Sequence, residues 1–279
     1  MIVADWRLHI AYQHVSKQYG YQLPNQARLH AVIRSLIRAE SIEPFDGISG
    51  IYRVIVPYAS ILPAPDELVL AECHPTAVLS FASAVAYHGW TNEIPATLYL
   101  THYDGWNPER LALGTSSDDW VDAPKPRRRM PDHIGKRKVV WTKMKPDWDM
   151  GSQIGYLQGM PIYVTDHERT LLDILRFPDK CGGPLLVLRT WRRAMESIDL
   201  NQLVDYVDRF EIKLLKQRVG FLLEHLGYSH PKLDNWAANS SRGGSAKLIV
   251  GADFCETYSH RWNLSLNIPD AMLAELIDD

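Results

Sequence analysis

The sequence predicts an α+β protein with a small N-terminal helical unit and a larger mixed α/β C-terminal domain. Three observations favour this class: two amphipathic helical patterns near the start, short β-prone runs bounded by turn residues, and successive helical patterns in the second half. The chain has 279 residues, of which 46% are hydrophobic and 23% charged. This composition is typical of globular proteins, and the length allows a buried core in each of two domains.

Composition also limits the compartment and the chemistry. No apolar run approaches the roughly 20 residues that span a bilayer, and the charged N-terminus is unlike a signal peptide. We therefore expect a cytoplasmic protein that does not bind membranes. Cys73, Cys181 and Cys255 are odd in number and widely separated, which predicts reduced, mostly buried thiols rather than disulfides or a metal site.

The first helix is predicted over residues 5–19, and Gly20 is expected to end it. A second helix is predicted from Gln26 to about Glu40, with Asn25 as its N-cap. The residues expected near one face of the first helix are Trp6, Ile10, His14 and Val15.

The second helix is strongly two-faced. Its apolar stripe comprises Leu29, Val32, Ile33, Leu36 and Ile37. Its polar face comprises residues spaced four apart, namely Gln26, His30, Arg34 and Arg38.

Two short β-prone runs follow, at about residues 41–44 and 51–57, on either side of a turn. Helix, turn, helix and hairpin is the order of a winged helix-turn-helix, predicted here for residues 1–58 with one helix fewer than usual before the turn. Such a unit can present arginines to the major groove of DNA. The alternative is a helical hairpin that packs on the rest of the protein, with its arginines solvated.

Pro63 and Pro65 predict a linker into a second domain, residues 64–279. That domain is expected to combine a small sheet with a helical, bundle-like half. The predicted helices are 67–73, the segment that begins at Ser80, a succession over 166–226, and a short one within 269–278; the predicted strands are 96–101, 138–142, 160–164 and 248–254.

Residues 125–145 form a basic segment, with nine Lys and Arg against one acidic residue, Asp132. Such a block can follow a phosphate backbone, or it can be a solvated surface hairpin. The residues of this second candidate surface for nucleic acid or a partner are Lys125, Arg127, Arg128, Arg129, Lys136, Arg137 and Lys138.

The segment SFASAVAYHGW contains a serine and a histidine that could suggest a catalytic pair. On a helix, Ser83 and His88 point about 140° apart, so they cannot form a nucleophile and its base. We interpret the segment as a close-packing helix that Gly89 ends. His88, in the last turn, is expected to interact with the terminal carbonyls of that helix.

A second cluster lies in GMPIYVTDHERTLLDIL, residues 159–175. Thr165 and Glu168 predict a capping box, and Arg169 and Asp173 are spaced to form an ion pair. A cluster of acidic, basic and hydroxyl groups can also be an active site, but each of these groups has a capping or pairing role. The sequence has no recognisable metal, phosphate or dinucleotide motif.

Two segments together, AVLSFASAVAYHGW and GMPIYVTDHERTLLDILRFPDKCGG, resemble the paired signatures of AbiEi-type antitoxins. These are the transcriptional-regulator half of bacterial type IV toxin–antitoxin modules, which act in abortive infection and antiviral defence. The resemblance covers most of the chain. It implies a DNA-binding repressor that regulates its own operon and counters a nucleotidyltransferase-like toxin, without enzymatic activity, cofactor or metal.

The resemblance also implies site residues. DNA contact would fall on the second helix and the wing, at Gln26, Arg28, His30, Arg34, Arg38 and Arg53. The signature positions of the C-terminal domain, for which we expect structural roles, are Ser83, His88, Gly89, Thr165, Glu168, Arg169, Thr170 and Asp173. The chain departs from the family in its abbreviated N-terminal module and in the strongly basic segment.

Two other classes of function are compatible with the sequence. One is a phage-defence nuclease, or another nucleic-acid-processing enzyme, that holds its substrate with the basic segment. The other is a protein-interaction module, for which tryptophan-rich surfaces around Trp141 and Trp148 would be suited.

Overall fold

The protein has a mixed α+β fold made of two compact units, each assembled from separate stretches of the chain. Unit 1 comprises residues 1–78, 101–143 and 154–163, and unit 2 comprises 79–100, 144–153 and 164–279. No helix in the described ranges is long and apolar enough to cross a membrane. The computed structural model describes residues 1–22, 25–58, 63–104, 107, 110–121, 123–240, 246–251 and 253–274.

Unit 1 begins with a three-stranded antiparallel sheet and two helices. The strand order is β1-β3-β2, with Val3 opposite Tyr52 and Glu43 opposite Arg53. Strand β1 was not predicted, because three apolar residues are too short a run to identify. The elements in chain order are β1 (Ile2–Ala4), α1 (Asp5–Tyr19), α2 (Gln26–Arg38), β2 (Ile42–Pro44) and β3 (Ile51–Val54).

Helix α1 has the predicted bounds, and Gly20 ends it in the left-handed conformation with φ 69°. The predicted face is partly wrong. Trp6 and Ile10 are buried, but Val15 is 47% exposed. Nine residues separate Val15 from Trp6, which is half a turn out of phase at 100° per residue. The helix instead buries His9, Gln13 and Ser16 beside them.

Helix α2 begins as predicted, because the Asn25 side chain accepts a hydrogen bond from the backbone N–H of Arg28 at 2.9 Å. Its apolar stripe is confirmed. Leu29 and Ile33 form a small core with Ile42, and the other apolar residues of the stripe are half-buried around it. The predicted turn before α2 includes residues 23 and 24, which lie outside the described residues.

A six-stranded mixed sheet has the order β6-β7-β5-β4-β9-β8. Strands β4 and β9 run parallel, with Leu79 opposite Val164, and β6 and β7 form an antiparallel hairpin within the basic segment. The elements are α3 (Asp66–Cys73), β4 (Val78–Leu79), α4 (Phe81–Tyr87), β5 (Thr97–Tyr103), β6 (His133–Ile134), β7 (Arg137–Met144), β8 (Ser152–Leu157) and β9 (Met160–Thr165).

The second half of unit 2 is mainly helical, as predicted. Its helices bury one large apolar core, in which Trp191 and Trp262 are almost fully buried. The helices are α5 (His167–Arg176), α6 (Pro184–Ala194), α7 (Leu200–Phe210), α8 (Lys213–His225), α9 (Lys232–Ala238) and α10 (Asp270–Ala274), and a small sheet pairs β10 (Tyr258–Ser259) with β11 (Leu264–Ser265).

Helix α8 packs closely on the C-terminal segment. A Cβ atom at Gly220 would overlap the indole of Trp262, so only glycine fits there. The strand predicted over residues 248–254 is wrong, since its described part consists of bends and turns. The side chain of Asn267 bonds both the N–H and the carbonyl of Ile249, as a neighbouring strand would. The linker residues 60–62 and residues 275–278 of the last predicted helix are outside the described chain.

All three cysteines are free thiols. Cys73 and Cys181 are buried, and burial raises the pKa of each thiol to about 12. Cys255 is exposed. The prediction of reduced, mostly buried cysteines is confirmed.

Candidate nucleic-acid interface

The outer face of α2 is polar, basic and exposed. Helix α2 contains three arginines and neither Asp nor Glu, so its formal charge is +3. Ala27, Ala31 and Ser35 lie exposed between the longer side chains, and small residues allow a flat surface to approach the helix closely. The five exposed candidate residues are Gln26, Arg28, His30, Arg34 and Arg38.

These five side chains differ in their partners. The Gln26 Nε2 atom lies 3.1 Å from His30 Nε2, and Arg28 donates to the side chain of Gln22. Among the described residues, neither Arg34 nor Arg38 has an ion-pair or hydrogen-bond partner for its guanidinium. These two arginines can therefore turn to a ligand without breaking a contact within the protein.

Arg53, the candidate on the hairpin, is exposed but paired. Its guanidinium bonds the carboxylate of Glu43 on the neighbouring strand and lies 5.8 Å from the ring centre of Phe45. A phosphate would have to compete with Glu43 for this arginine.

The basic segment divides into paired and exposed residues. Arg129 pairs with Asp5, and Arg137 pairs with Asp66 and Glu67 at 3.3 and 3.2 Å. Arg128 is exposed but donates to the carbonyl of Tyr103 at 3.3 Å. The other exposed candidates are Lys125, Arg127, Lys136 and Lys138.

Trp141 and Trp148, the candidates for a partner surface, are both half-buried. The Trp141 Nε1 atom donates to the carbonyl of Pro131 at 2.7 Å, and its ring stacks on His74. Trp148 packs edge-to-face on Phe210. Both indoles thus have contacts within the fold.

Ser83 and His88 bond different partners. The Ser83 hydroxyl accepts from the backbone N–H of Tyr99 at 2.9 Å, and His88 Nε2 donates to the carbonyl of Thr165 at 2.8 Å. Burial lowers the pKa of His88 to about 4, so the ring is neutral near pH 7. The expectation that His88 would serve the carbonyls of its own helix is wrong, because its ring reaches β9 instead. Gly89 follows α4 with φ 71°.

The predicted capping box at Thr165 is also wrong. Asp166 is the N-cap of α5, and its carboxylate accepts from the Arg169 N–H at 2.8 Å. The Thr165 hydroxyl bonds that of Thr170 at 2.7 Å. Glu168 accepts from the backbone N–H of Asp199 at 2.6 Å. Thr165 and Asp166 are adjacent, and both threonine and aspartate are favourable N-cap residues, so the sequence pattern did not identify Asp166 as the cap.

A polar cluster surrounds Asp166 at the start of α5. The Tyr206 hydroxyl and the Gln202 amide both donate to the Asp166 carboxylate, at 2.8 and 3.1 Å. Burial raises the pKa of Glu168, and the nearby charge of Asp166 raises it further. Sequence reasoning did not identify Gln202 and Tyr206, since 36 and 40 residues separate them from Asp166.

The described residues contain no group of three His, Cys, Asp or Glu side chains placed to hold a metal ion. The exposed basic face of α2 is the candidate surface for nucleic acid, and the exposed part of the basic segment is a second candidate.

Comparison with known proteins defines the fold rather than a family. No family model and no curated protein matches the chain. Among solved structures, the fold is similar to that of the protein Rv2827c from Mycobacterium tuberculosis, known from a crystal structure, with a TM-score of 0.54. The similarity covers 95% of this chain and 85% of that chain at 13% sequence identity. At this identity the similarity shows a common fold alone.

Proposed function

We propose that the protein is a double-stranded-DNA-binding transcriptional repressor and the antitoxin of a type IV toxin–antitoxin module. The observation that carries the proposal is the exposed, acid-free face of α2, where Arg34 and Arg38 have no partners among the described residues. Arginine is well suited to DNA because its planar guanidinium can donate two hydrogen bonds to one guanine.

The order of elements supports a winged helix-turn-helix for the first 58 residues. A strand and two helices precede a hairpin, and the three strands form one antiparallel sheet in the order β1-β3-β2. In this interpretation α2 is the recognition helix and the turn between β2 and β3 is the wing. One helix, α1, precedes the turn in the described residues, and β1 precedes α1 directly.

DNA binding can be tested with the double variant Arg34→Ala, Arg38→Ala. We expect fluorescence anisotropy to show weaker binding to DNA from upstream of the protein's own reading frame, by about 1–3 kcal/mol for each arginine that reads a base. The matched control is Arg189→Ala, Arg193→Ala, since these arginines are also exposed and four apart on a helix. Unchanged affinity in the Arg34, Arg38 variant would refute the role of α2.

The antitoxin role is supported by the resemblance of residues 77–90 and 159–183 to the AbiEi signatures. The proposed partner is a nucleotidyltransferase-like toxin encoded beside it. We expect co-expression to restore growth of cells that produce the adjacent gene product. Failure to restore growth would contradict the antitoxin role and leave the repressor role to the binding test.

An assay with the purified protein tests the alternative that it is a nuclease. Incubation of double- and single-stranded DNA and RNA with Mg²⁺ or Mn²⁺ should leave all of them intact if the protein is a repressor. Metal-dependent cleavage that a single carboxylate substitution abolishes would replace the repressor proposal with an enzyme.

A further inference from the structure

Arg129 attaches the first part of the basic segment to the turn of the hairpin in unit 1. Its Nε atom donates to the carbonyl of Ser49 at 2.6 Å, and its Nη2 atom bonds the carboxylate of Asp5 at the start of α1. Its backbone N–H donates to the carbonyl of Cys73 at 2.9 Å. Both the main chain and the side chain of Arg129 are thus held, and its charge is neutralised by Asp5.

The Arg129 guanidinium packs closely against the turn of the hairpin at Gly50. Gly50 has φ +77°, and a Cβ atom there would overlap the Arg129 guanidinium. The Gly50 carbonyl also accepts from the backbone N–H of Asp5 at 2.9 Å. The hydrogen bond to Ser49, the ion pair with Asp5 and the close contact with Gly50 therefore hold Arg129 beside the turn at residues 45–50.

The segment around Arg129 carries positive charge in addition to that of Arg129 itself. Residues 124–131, PKPRRRMP, contain four basic residues and neither Asp nor Glu. The side chains of Lys125, Arg127 and Arg128 are exposed. Prolines at 124, 126 and 131 restrict the backbone, which reduces the entropy that this segment would lose on binding a ligand.

The hairpin itself is a poor phosphate ligand. Residues 42–54 contain Glu43 and Asp46 against Arg53, a formal charge of −1, and Arg53 is paired with Glu43. A winged helix commonly places phosphate contacts beside its recognition helix, and these contacts fix its register on the duplex. In this protein the turn at residues 45–50 carries an acidic residue where such a contact would need a basic one.

We propose that residues 124–128 bind the phosphate backbone of DNA beside the hairpin turn, through Lys125, Arg127 and Arg128. This inference rests on the proposed DNA-binding function and adds a second contact to it. The residues supply charge and hydrogen-bond donors to phosphate oxygens and do not read bases. Their contribution is therefore independent of sequence and sensitive to salt.

The test is the salt dependence of binding by the double variant Lys125→Gln, Arg127→Gln. Each lost phosphate contact lowers the slope of log affinity against log salt concentration by about 0.9, so we expect a slope about 2 units shallower. Affinity for upstream DNA and for unrelated DNA should fall by the same factor. The matched control, Arg189→Gln, Arg193→Gln, also removes two exposed positive charges and should keep the wild-type slope.

The outcomes separate this inference from the proposed function. A wild-type slope in the Lys125, Arg127 variant, together with lost binding in the Arg34, Arg38 variant, would overturn the phosphate contact and leave the repressor proposal standing. A loss confined to upstream DNA would also overturn it, because that pattern indicates base reading. If the wild-type protein binds no DNA at all, both proposals fail.

Discussion

Arg169 and Asp173 form a fully buried ion pair on one face of α5, with Arg169 Nε 2.9 Å from Asp173 Oδ2. Arg169 also donates from Nη1 to the carbonyl of Met150 at 2.8 Å. The pair therefore joins α5 to the loop before β8 within unit 2. Burying two charges is costly unless both are hydrogen-bonded, and here Arg169 donates from Nε and Nη1 while Asp173 accepts from Arg169 and Arg176.

Asp173→Ala should strongly destabilise the protein, by about 3–5 kcal/mol, because it leaves the Arg169 charge buried without its partner. Urea unfolding followed by circular dichroism measures this loss. Asp205→Ala is the control, since Asp205 and Arg209 have the same spacing on α7 but are 60% and 52% exposed. We expect the control to cost about 0.5 kcal/mol or less. Equal losses in the two variants would contradict the importance of burial.

Gly50→Ala should destabilise the protein more than Gly47→Ala. Both glycines have left-handed φ, +77° and +75°, so alanine costs about 1 kcal/mol at either position. Only at Gly50 would the added Cβ meet other groups, namely the Arg129 guanidinium and the Asp5 carboxylate, whereas nothing lies within 4 Å of a Cβ at Gly47. Thermal unfolding of both variants measures the difference. If they unfold at the same temperature, Arg129 is not held against the turn.

His74 is a buried base with no hydrogen-bond partner for its ring among the described residues. Its ring lies 5.8 Å from that of Trp141, in a stacked arrangement. The pKa of His74 is lowered to about 3, mainly by burial and in part by the nearby charges of Arg128 and His102. Between about pH 6.5 and pH 3 the unfolded chain therefore binds a proton here that the folded chain does not.

This difference makes stability fall as pH decreases through that window. For His74 alone, the loss between pH 7 and pH 5 is roughly 2 kcal/mol. His74→Phe keeps an aromatic ring but cannot be protonated, so the stability of this variant should fall less between pH 7 and pH 5 than that of the wild type. Urea unfolding at both pH values measures this. The control His133→Phe replaces an exposed histidine by the same residue and shows whether the effect is specific to the buried position.

The parts of the candidate site that the sequence predicted depend on neighbouring residues. The start of α2, its N-cap at Asn25 and its exposed row at Arg34 and Arg38 all follow from spacing within about 14 residues. Short-range patterns of this kind determine which face of a helix is buried. The ion pair between Arg169 and Asp173 was predicted in the same way, because residues four apart lie about one turn apart on the same face of a helix.

The parts that the sequence did not predict depend on distant residues. Asp5 and Arg129 are 124 positions apart, and nothing in either segment indicates the other. The polar cluster at Asp166 brings in Tyr206 from 40 positions away. His88 bonds Thr165 across 77 positions, a contact that the spacing within α4 does not indicate. A single sequence gives residue types and spacings but no long-range pairing.

The interleaving of the two units has a consequence for how the protein is made. Unit 1 needs residues up to 163, and unit 2 starts at residue 79 but takes most of its chain after residue 163. During synthesis, the first residues of unit 2 are therefore made before unit 1 has all of its residues. Trp262, which packs against Gly220 of α8, is synthesised after all of helices α5 to α9. The helical core of unit 2 therefore cannot close until residue 262 is available, and until then its apolar surface is open to chaperones and proteases.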